Sequence, residues 1–130
     1  TRRSSDLLRE RYLAARRGGE RQILVFTQER LHLLANVLDR ALVVDLLVVD
    51  EAHLLAKVTT PDDPHYVSLA RISHAAERLL LLSATPFTRA STTHLALLHL
   101  LDGQHFSWDR REELPQRFAA AAENYRRDHD

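Results

Sequence analysis

The sequence predicts an α/β fold in which a small parallel sheet of about three strands is flanked by helices. Short apolar runs rich in Val, Leu and Ile alternate with segments of helical periodicity. Two of these runs end abruptly in polar residues, as buried strands of parallel sheets do at their carboxyl ends. Turn-forming residues separate several of the segments. Together these observations favour strands joined by helical crossovers.

Length and composition bound the class of protein. The chain has 130 residues, 45% of them hydrophobic and 28% charged, which predicts one globular domain over residues 1–130. Its net charge of zero gives no global attraction to nucleic acid or to a membrane. The absence of cysteine excludes disulfides and thiolate metal sites. No signal peptide or apolar run of about 20 residues is visible, so we expect a cytoplasmic protein.

The first predicted element is a helix over residues about 5–17, with Leu8, Tyr12 and Ala15 on one face. Gly18-Gly19 should end this helix, because glycine tolerates the left-handed conformation found after many helices. Arginines occupy much of the remaining surface, and we interpret them as a solvated face more readily than as a DNA contact.

Two strands with a helix between them should follow. Ile23–Phe26 and Leu46–Val49 are short apolar runs without polar alternation, which is typical of strands buried on both faces. Between them, residues about 28–40 repeat apolar side chains at helical spacing. These side chains are Leu31, Leu34, Ala35 and Leu38.

The next segments continue the alternation. A short helical turn is predicted at about 54–57, then a loop dense in turn formers up to Pro64. Asp63 should cap a helix over about 64–77, with Pro64 at its first position. A third strand is predicted at Leu79–Leu82.

Two helices complete the chain. The helix over about 93–101 is apolar nearly all round, which predicts burial on more than one side. Asp102-Gly103 should stop it. A final helix is predicted over about 113–127, outside a core of residues 20–103.

An acidic pair, Asp50 and Glu51, follows the strand Leu46–Val49 directly. Open parallel sheets place their chemistry just beyond the carboxyl ends of strands. Successive side chains diverge, so one carboxylate can face a Mg²⁺ ion while the other faces an attacking water. This pattern favours a site that hydrolyses a nucleoside triphosphate.

Two motifs of this sequence resemble those of a known family. Asp50-Glu51-Ala52-His53 resembles motif II, the DEAH form of the Walker B box, in superfamily-two helicases and translocases. Ser83-Ala84-Thr85-Pro86 resembles their motif III, at the separation found in the first RecA-like lobe. Residues 23–29 and 80–102 are similar to the Snf-type branch, which includes bacterial RNA-polymerase-associated translocases. The resemblance spans about residues 20–103 and implies a partial RecA-like (P-loop NTPase) domain.

The resemblance also implies roles for individual residues. It implies ATP as substrate, Mg²⁺ as cofactor, and double-stranded DNA as partner of the parent protein. Asp50 would hold Mg²⁺ and Glu51 would be the catalytic base. Coupling of hydrolysis to movement would involve His53, Ser83 and Thr85. Contacts to nucleic acid would involve Thr27, Gln28 and Arg89, although a solvated arginine is an equal alternative for Arg89.

One departure from the family pattern is large. A P-loop needs Gly-Lys followed by Ser or Thr, and the sequence contains no Gly-Lys pair. Its one lysine, Lys57, follows motif II. We therefore expect a fragment of the first lobe that lacks the P-loop strand, leaves an edge of Leu79–Leu82 unpaired, and does not hydrolyse ATP alone. The missing P-loop segment and a second RecA-like lobe would be its partners.

Two alternatives stay open from the sequence. A truncated RecA-like module could act as a scaffold or binding adaptor without catalysis. A different Mg²⁺-dependent phosphotransfer or nuclease site would need another ligand, and Asp45 and Asp62 do not follow a predicted strand. The sequence likewise does not distinguish a helicase from a translocase, or DNA from RNA as the nucleic acid that is bound.

The other histidines show no zinc-like spacing. We interpret them as surface or hydrogen-bonded positions. They are His32, His65, His74, His94, His99, His105 and His129.

Overall fold

Two parallel strands form the sheet in the computed structural model, which describes residues 2–32, 35, 44–84 and 91–129. Strand β1 is Leu46–Val49 and strand β2 is Arg78–Leu81. Their register pairs Leu46 with Arg78 and Val49 with Leu81. Both strands lie within one residue of their predicted bounds, so the α/β fold with a small parallel sheet is confirmed.

The predicted strand at Ile23–Phe26 is wrong. These residues belong to no strand, and the side chains of Ile23 and Val25 are 92% and 89% exposed. A strand is held by hydrogen bonds to a neighbouring strand, and no described segment pairs with this one. An apolar run predicts a tendency to extend, but the described part of the chain supplies no neighbour for it.

Burial of β1 on both faces was also a wrong expectation. Leu46 and Val48 remain 55% and 49% exposed, whereas Val49 is buried. The parallel register places exposed Leu80 on the same face as Val48. Within the described residues, helices cover only the opposite face, which carries Val49 and the half-buried Leu47, Leu79 and Leu81.

The described helices follow the predicted order with shifts of a few residues at their ends. Residues 31, 32 and 35 of the predicted helix 28–40 are helical, and its other residues after 32 lie outside the described part of the chain. The α-helices are α1 Arg2–Arg17, α2 Ala52–Leu55, α3 Pro64–Ala75, α4 Ser91–Leu101 and α5 Leu114–His129. Two 3-10 helices span Gln28–Arg30 and Trp108–Glu113.

Glycine ends helix α1 as predicted. Gly19 has a φ of 71°, in the left-handed region that glycine enters without a steric penalty. The amide of Glu20 donates to the carbonyl of Ala15 at 2.9 Å, and that of Gly19 donates to Arg16 at 3.1 Å. These two bonds form a Schellman motif, which satisfies carbonyls that the helix leaves without partners.

Asp63 caps helix α3 as predicted. Its carboxylate accepts a hydrogen bond from the amide of Tyr66 at 3.0 Å, and Pro64 occupies the first helical position. Proline fits there because the first amides of a helix have no internal acceptor.

Helix α4 lies at the centre of the core. Leu95 and Leu100 are almost completely buried, and Leu97 is 7% exposed, so the predicted burial on more than one side is confirmed. The helix contacts α2, α3 and the second 3-10 helix. Each large apolar side chain buried in this way stabilises the fold by about 1.5–3 kcal/mol.

Across the described residues, every helix is too short or too polar to cross a membrane.

Candidate functional site

Both strands of the sheet end at the same edge, and two backbone hydrogen bonds continue their pairing beyond it. The amide of Leu82 donates to the carbonyl of Val49, and the amide of Ala52 donates to the carbonyl of Leu82, both at 2.9 Å. This pairing brings the acidic segment after β1 beside Ser83, which follows β2. Two polar segments that are about thirty residues apart in sequence therefore meet at one edge of the sheet.

Glu51 occupies the turn between β1 and α2 in a left-handed conformation. Its φ and ψ are 50° and 43°, and among the described residues it is the one non-glycine with positive φ. This conformation costs an ordinary residue about 1–2 kcal/mol. The amide of Glu51 donates to Oδ1 of Asp50 at 2.9 Å, which helps to hold the turn. Strain of this kind is concentrated at functional sites.

His53 contacts both polar segments. Its Nδ1 lies 2.8 Å from Oγ of Ser83, and its Nε2 lies 3.3 Å from Oε2 of Glu51. A carboxylate oxygen only accepts, so Nε2 of the neutral ring carries the hydrogen and Nδ1 accepts from the Ser83 hydroxyl. Ser83, His53 and Glu51 therefore form a continuous chain of polar contacts.

The contact between His53 and Glu51 was not predicted from the sequence. The two residues are separated by Ala52 alone. A helical backbone would direct their side chains to different faces, and an extended backbone would place them on one face but about 7 Å apart. The left-handed turn at Glu51 changes these directions and allows the contact. The sequence carries no signal for it beyond the close spacing of an acid and a histidine after a strand.

The remaining predicted site residues are placed differently. Thr27 is exposed and precedes the first 3-10 helix. Gln28 lines a cavity of about 320 Å³ together with Leu54 and Lys57, and the lining of that cavity does not include Asp50, Glu51 or Ser83. The structure thus does not bring Gln28 into the site at the sheet edge. Thr85 and Arg89 lie outside the described residues.

The carboxylates at the sheet edge are chemically compatible with a Mg²⁺ ion that takes most of its other ligands from a nucleotide and water. Across residues 2–32, 35, 44–84 and 91–129, no group of three or more His, Asp or Glu side chains could hold a metal by itself. Mg²⁺ in nucleotide sites keeps several waters and takes one or two carboxylates together with the phosphates. Asp50, exposed at the end of β1, provides one such carboxylate.

Comparison with protein families finds one family model whose match spans both polar segments. The family model described as DEAD/DEAH box helicase matches residues 3–93, which is more than half of the chain and includes both polar segments. The chain belongs to the DEAD/DEAH box helicase family. In this family's terms, the segment after β1 is motif II and the segment after β2 is motif III.

Curated relatives support the same assignment over shorter stretches. RNA polymerase-associated protein RapA of Sodalis glossinidius is 44% identical over 62 residues, and that of Pectobacterium atrosepticum is 42% identical over 62 residues; each match covers 48% of this chain and 6% of the relative. RapA of Pseudomonas fluorescens is 38% identical over 82 residues, or 63% of this chain and 8% of the relative. The chain thus spans less than a tenth of these relatives. No solved structure matches it significantly.

Proposed function

We propose that this chain forms part of the ATP-binding and hydrolysing lobe of a DEAH-box, Snf-like DNA translocase or helicase. The protein that carries it would couple ATP hydrolysis to movement on double-stranded DNA. The observation that carries this proposal is the contact chain from Glu51 through His53 to Ser83, which joins motif II to motif III. The similarity to RapA proteins favours the Snf-like branch.

In this proposal the two acids have separate roles. Asp50 holds Mg²⁺, which, when bound, neutralises phosphate charge and fixes the phosphate oxygens. Glu51 orients the attacking water and accepts its proton. The turn at Glu51 directs its carboxylate toward His53 in this structure, at 3.3 Å. His53 therefore limits where the base can lie before a nucleotide is present.

Coupling would pass along the same contact chain. Ser83 fixes the orientation of the His53 ring through the 2.8 Å hydrogen bond. A shift of motif III would move this ring and, with it, Glu51. Thr85 would take part in the coupling, and Thr27, Gln28 and Arg89 are the proposed contacts to DNA.

The rest of the machinery would come from outside these 130 residues. We propose that a P-loop and a second RecA-like lobe complete the nucleotide site, because the sequence contains no Gly-Lys pair. The relatives are named for association with RNA polymerase. We propose the same partner for the protein that carries this chain, and a cytoplasmic location.

The proposal is tested by measuring ATP hydrolysis and triplex displacement by the natural protein that carries this chain. Duplex DNA, single-stranded DNA and RNA are compared as activators. Duplex DNA should stimulate hydrolysis most, and ATP should drive displacement of a triplex-forming strand from the duplex. Stimulation by RNA alone, or hydrolysis without displacement, would contradict movement on double-stranded DNA.

A second candidate function is a catalytically inactive scaffold or binding adaptor. The lack of a Gly-Lys pair in the sequence favours it, because phosphate binding without a P-loop is weak. The two functions differ in ATP affinity. Micromolar binding of a fluorescent ATP analogue to the natural protein would support the ATPase, whereas no binding at millimolar concentration would support the adaptor.

A further inference from the structure

Four aromatic and histidine side chains link α3, α4 and the second 3-10 helix. We name this group the histidine clamp, and it consists of Tyr66, His74, His99 and Trp108. Its rings lie in contact, with centroid distances of 5.8 Å between Tyr66 and Trp108 and 5.1 Å between His74 and His99. None of the four belongs to motif II or motif III, so a role for this group is independent of the proposed ATPase function.

Tyr66 is the buried centre of the clamp. Its side chain is 1% exposed, and burial raises the pKa of its hydroxyl to about 12. The hydroxyl lies 3.0 Å from the carbonyl of Ala96 and 2.9 Å from Nδ1 of His99, and it accepts from Nε1 of Trp108 at 3.3 Å. Tyr66 has one hydrogen to donate. When that hydrogen goes to Ala96, Nδ1 of His99 must be the donor to Tyr66.

The hydrogen bonds of the Tyr66 hydroxyl do not prevent His99 from binding a second proton. A doubly protonated ring still donates from Nδ1 to the Tyr66 hydroxyl, and Tyr66 still donates to Ala96. Protonation therefore breaks none of these hydrogen bonds. What opposes it is the half-buried position of His99 and the neighbouring ring of His74.

His74 is fixed from two sides. Its Nε2 donates to the backbone carbonyl of His99 at 2.8 Å, in the last turn of α4, where carbonyls have no partner within the helix. Gly103 lies against the ring, so closely that an added Cβ would come within 2.8 Å of Cε1 of His74. Because Nε2 is the donor, His74 takes up its second proton at Nδ1 and keeps this bond.

We propose that His74 and His99 act as a pH-sensitive clamp between α3 and α4, which loosens when acid protonates the half-buried His99 beside the ring of His74. His74 is exposed, whereas His99 is half-buried. A positive charge on the His99 ring is therefore the unfavourable one. The contacts of the clamp thus stabilise the packing of α3 on α4 near neutral pH, and this stabilisation decreases in mild acid.

The surroundings of His99 support this proposal. Burial, and then the charge of His74, lower the pKa of His99. The four clamp residues line a pocket whose other charged residues are Arg71 from α3 and Asp109 from the second 3-10 helix. Neither of these two is among the causes of the lowered pKa of His99.

The direction of the pH effect follows from this lowered pKa. Below about pH 6.5, the ordinary pKa of histidine, an unfolded chain binds more protons at His99 than the folded chain does. The contribution of the clamp to stability is therefore complete above that pH. It falls as the pH decreases from about 6.5 through the lower pKa of the folded state.

The test is an NMR titration of the eight histidine rings of the chain, together with emission from Trp108, its only tryptophan. In the wild-type chain, the midpoint of His99 should lie below that of exposed His129. The emission of Trp108 should shift to the red with the same midpoint as His99, because loosening admits water to its ring.

Variants separate charge from packing. His74→Gln removes the neighbouring charge while an amide can still donate, so the midpoint of His99 should rise. His99→Gln should abolish the acid shift of Trp108 emission, and His129→Gln should not.

Gly103→Ala tests the packing against the His74 ring and should give the red-shifted emission already at neutral pH. Gly18→Ala is the control, because its added Cβ would meet no described atom closer than 3.6 Å.

Either of two results would overturn the proposal. The first is a His99 midpoint equal to or above that of His129. The second is an acid shift of Trp108 emission that persists unchanged in His99→Gln.

Discussion

At the scale of single residues, Glu51 combines the proposed base with an unfavourable backbone conformation. The sequence predicted an acid at the end of a strand but not its φ of 50°. That angle is imposed by the turn from β1 into α2, and glutamate has no preference for it. The conformation is therefore a property of the fold, and it positions the carboxylate against His53.

Replacing Glu51 by glycine should relieve this strain. We expect the free energy of unfolding of Glu51→Gly to equal that of the wild-type chain or to exceed it by up to about 1 kcal/mol. Glu123→Gly, in the exposed interior of α5, should instead lower it by about 1 kcal/mol. Urea denaturation measures both values. Equal losses in the two variants would show that Glu51 is not strained.

The hydrogen bond from Ser83 to His53 makes a second residue-scale prediction. Ser83→Ala removes the 2.8 Å bond and should lower the free energy of unfolding by about 0.5–1.5 kcal/mol. Ser83→Thr retains a hydroxyl and should lose less. Denaturation compares the two variants, and NMR of the His53 ring should show a changed Nδ1 environment in Ser83→Ala alone. An unchanged Nδ1 signal of His53 in Ser83→Ala would exclude the contact between these two residues and, with it, the contact chain.

At the scale of secondary-structure elements, the sequence predicted the ends of helices better than it predicted the pairing of strands. The start of α3 and the end of α1 depend on residues within a few positions, namely Asp63 and Gly19. The segment Ile23–Phe26 failed because a strand depends on a distant neighbour. Its composition carries no information about whether that neighbour is present.

The cap of α3 provides the element-scale prediction. Asp63→Ala should lower the free energy of unfolding by about 0.5–2 kcal/mol, because the amide of Tyr66 loses its acceptor. Asp63→Asn keeps an acceptor oxygen and should remain close to wild type. Asp62→Ala, at the exposed neighbouring position, is the matched control. A loss of the same size in Asp62→Ala would argue against a specific cap.

At the scale of the whole molecule, the sheet has one packed and one exposed face. Val48 and Val49 are neighbours in β1, yet Val48 is 49% exposed and Val49 is 7% exposed. The sequence predicted burial of both because an uninterrupted apolar run indicates two covered faces. The sequence of a strand does not reveal whether another element covers each of its faces.

This difference between the faces can be measured. Val48→Thr should change the free energy of unfolding by less than about 0.5 kcal/mol and should reduce self-association detected by light scattering. Val49→Thr places a hydroxyl in the core and should lower stability by about 1–3 kcal/mol. Similar losses in both variants would mean that the chain covers both faces in solution.

The two sites of the molecule differed in how far the sequence predicted them. The site at the sheet edge was found because its residues lie in two short motifs at strand ends. These residues are Asp50, Glu51, His53 and Ser83. The histidine clamp was missed, since its two histidines were interpreted as ordinary surface or hydrogen-bonded positions and its two aromatic residues were not singled out. Its partners are 25–42 residues apart and meet only through the packing of α3, α4 and the second 3-10 helix.

The most direct test of the account is the rate of ATP hydrolysis by Glu51→Gln in the natural protein that carries this chain. We predict a loss of about 100-fold or more in the hydrolysis rate, with ATP affinity within a few-fold of wild type. Glu77→Gln, an exposed acid before β2, should keep the wild-type rate. Wild-type turnover in Glu51→Gln would contradict the assignment of Glu51 as the base and, with it, the proposed role of this site.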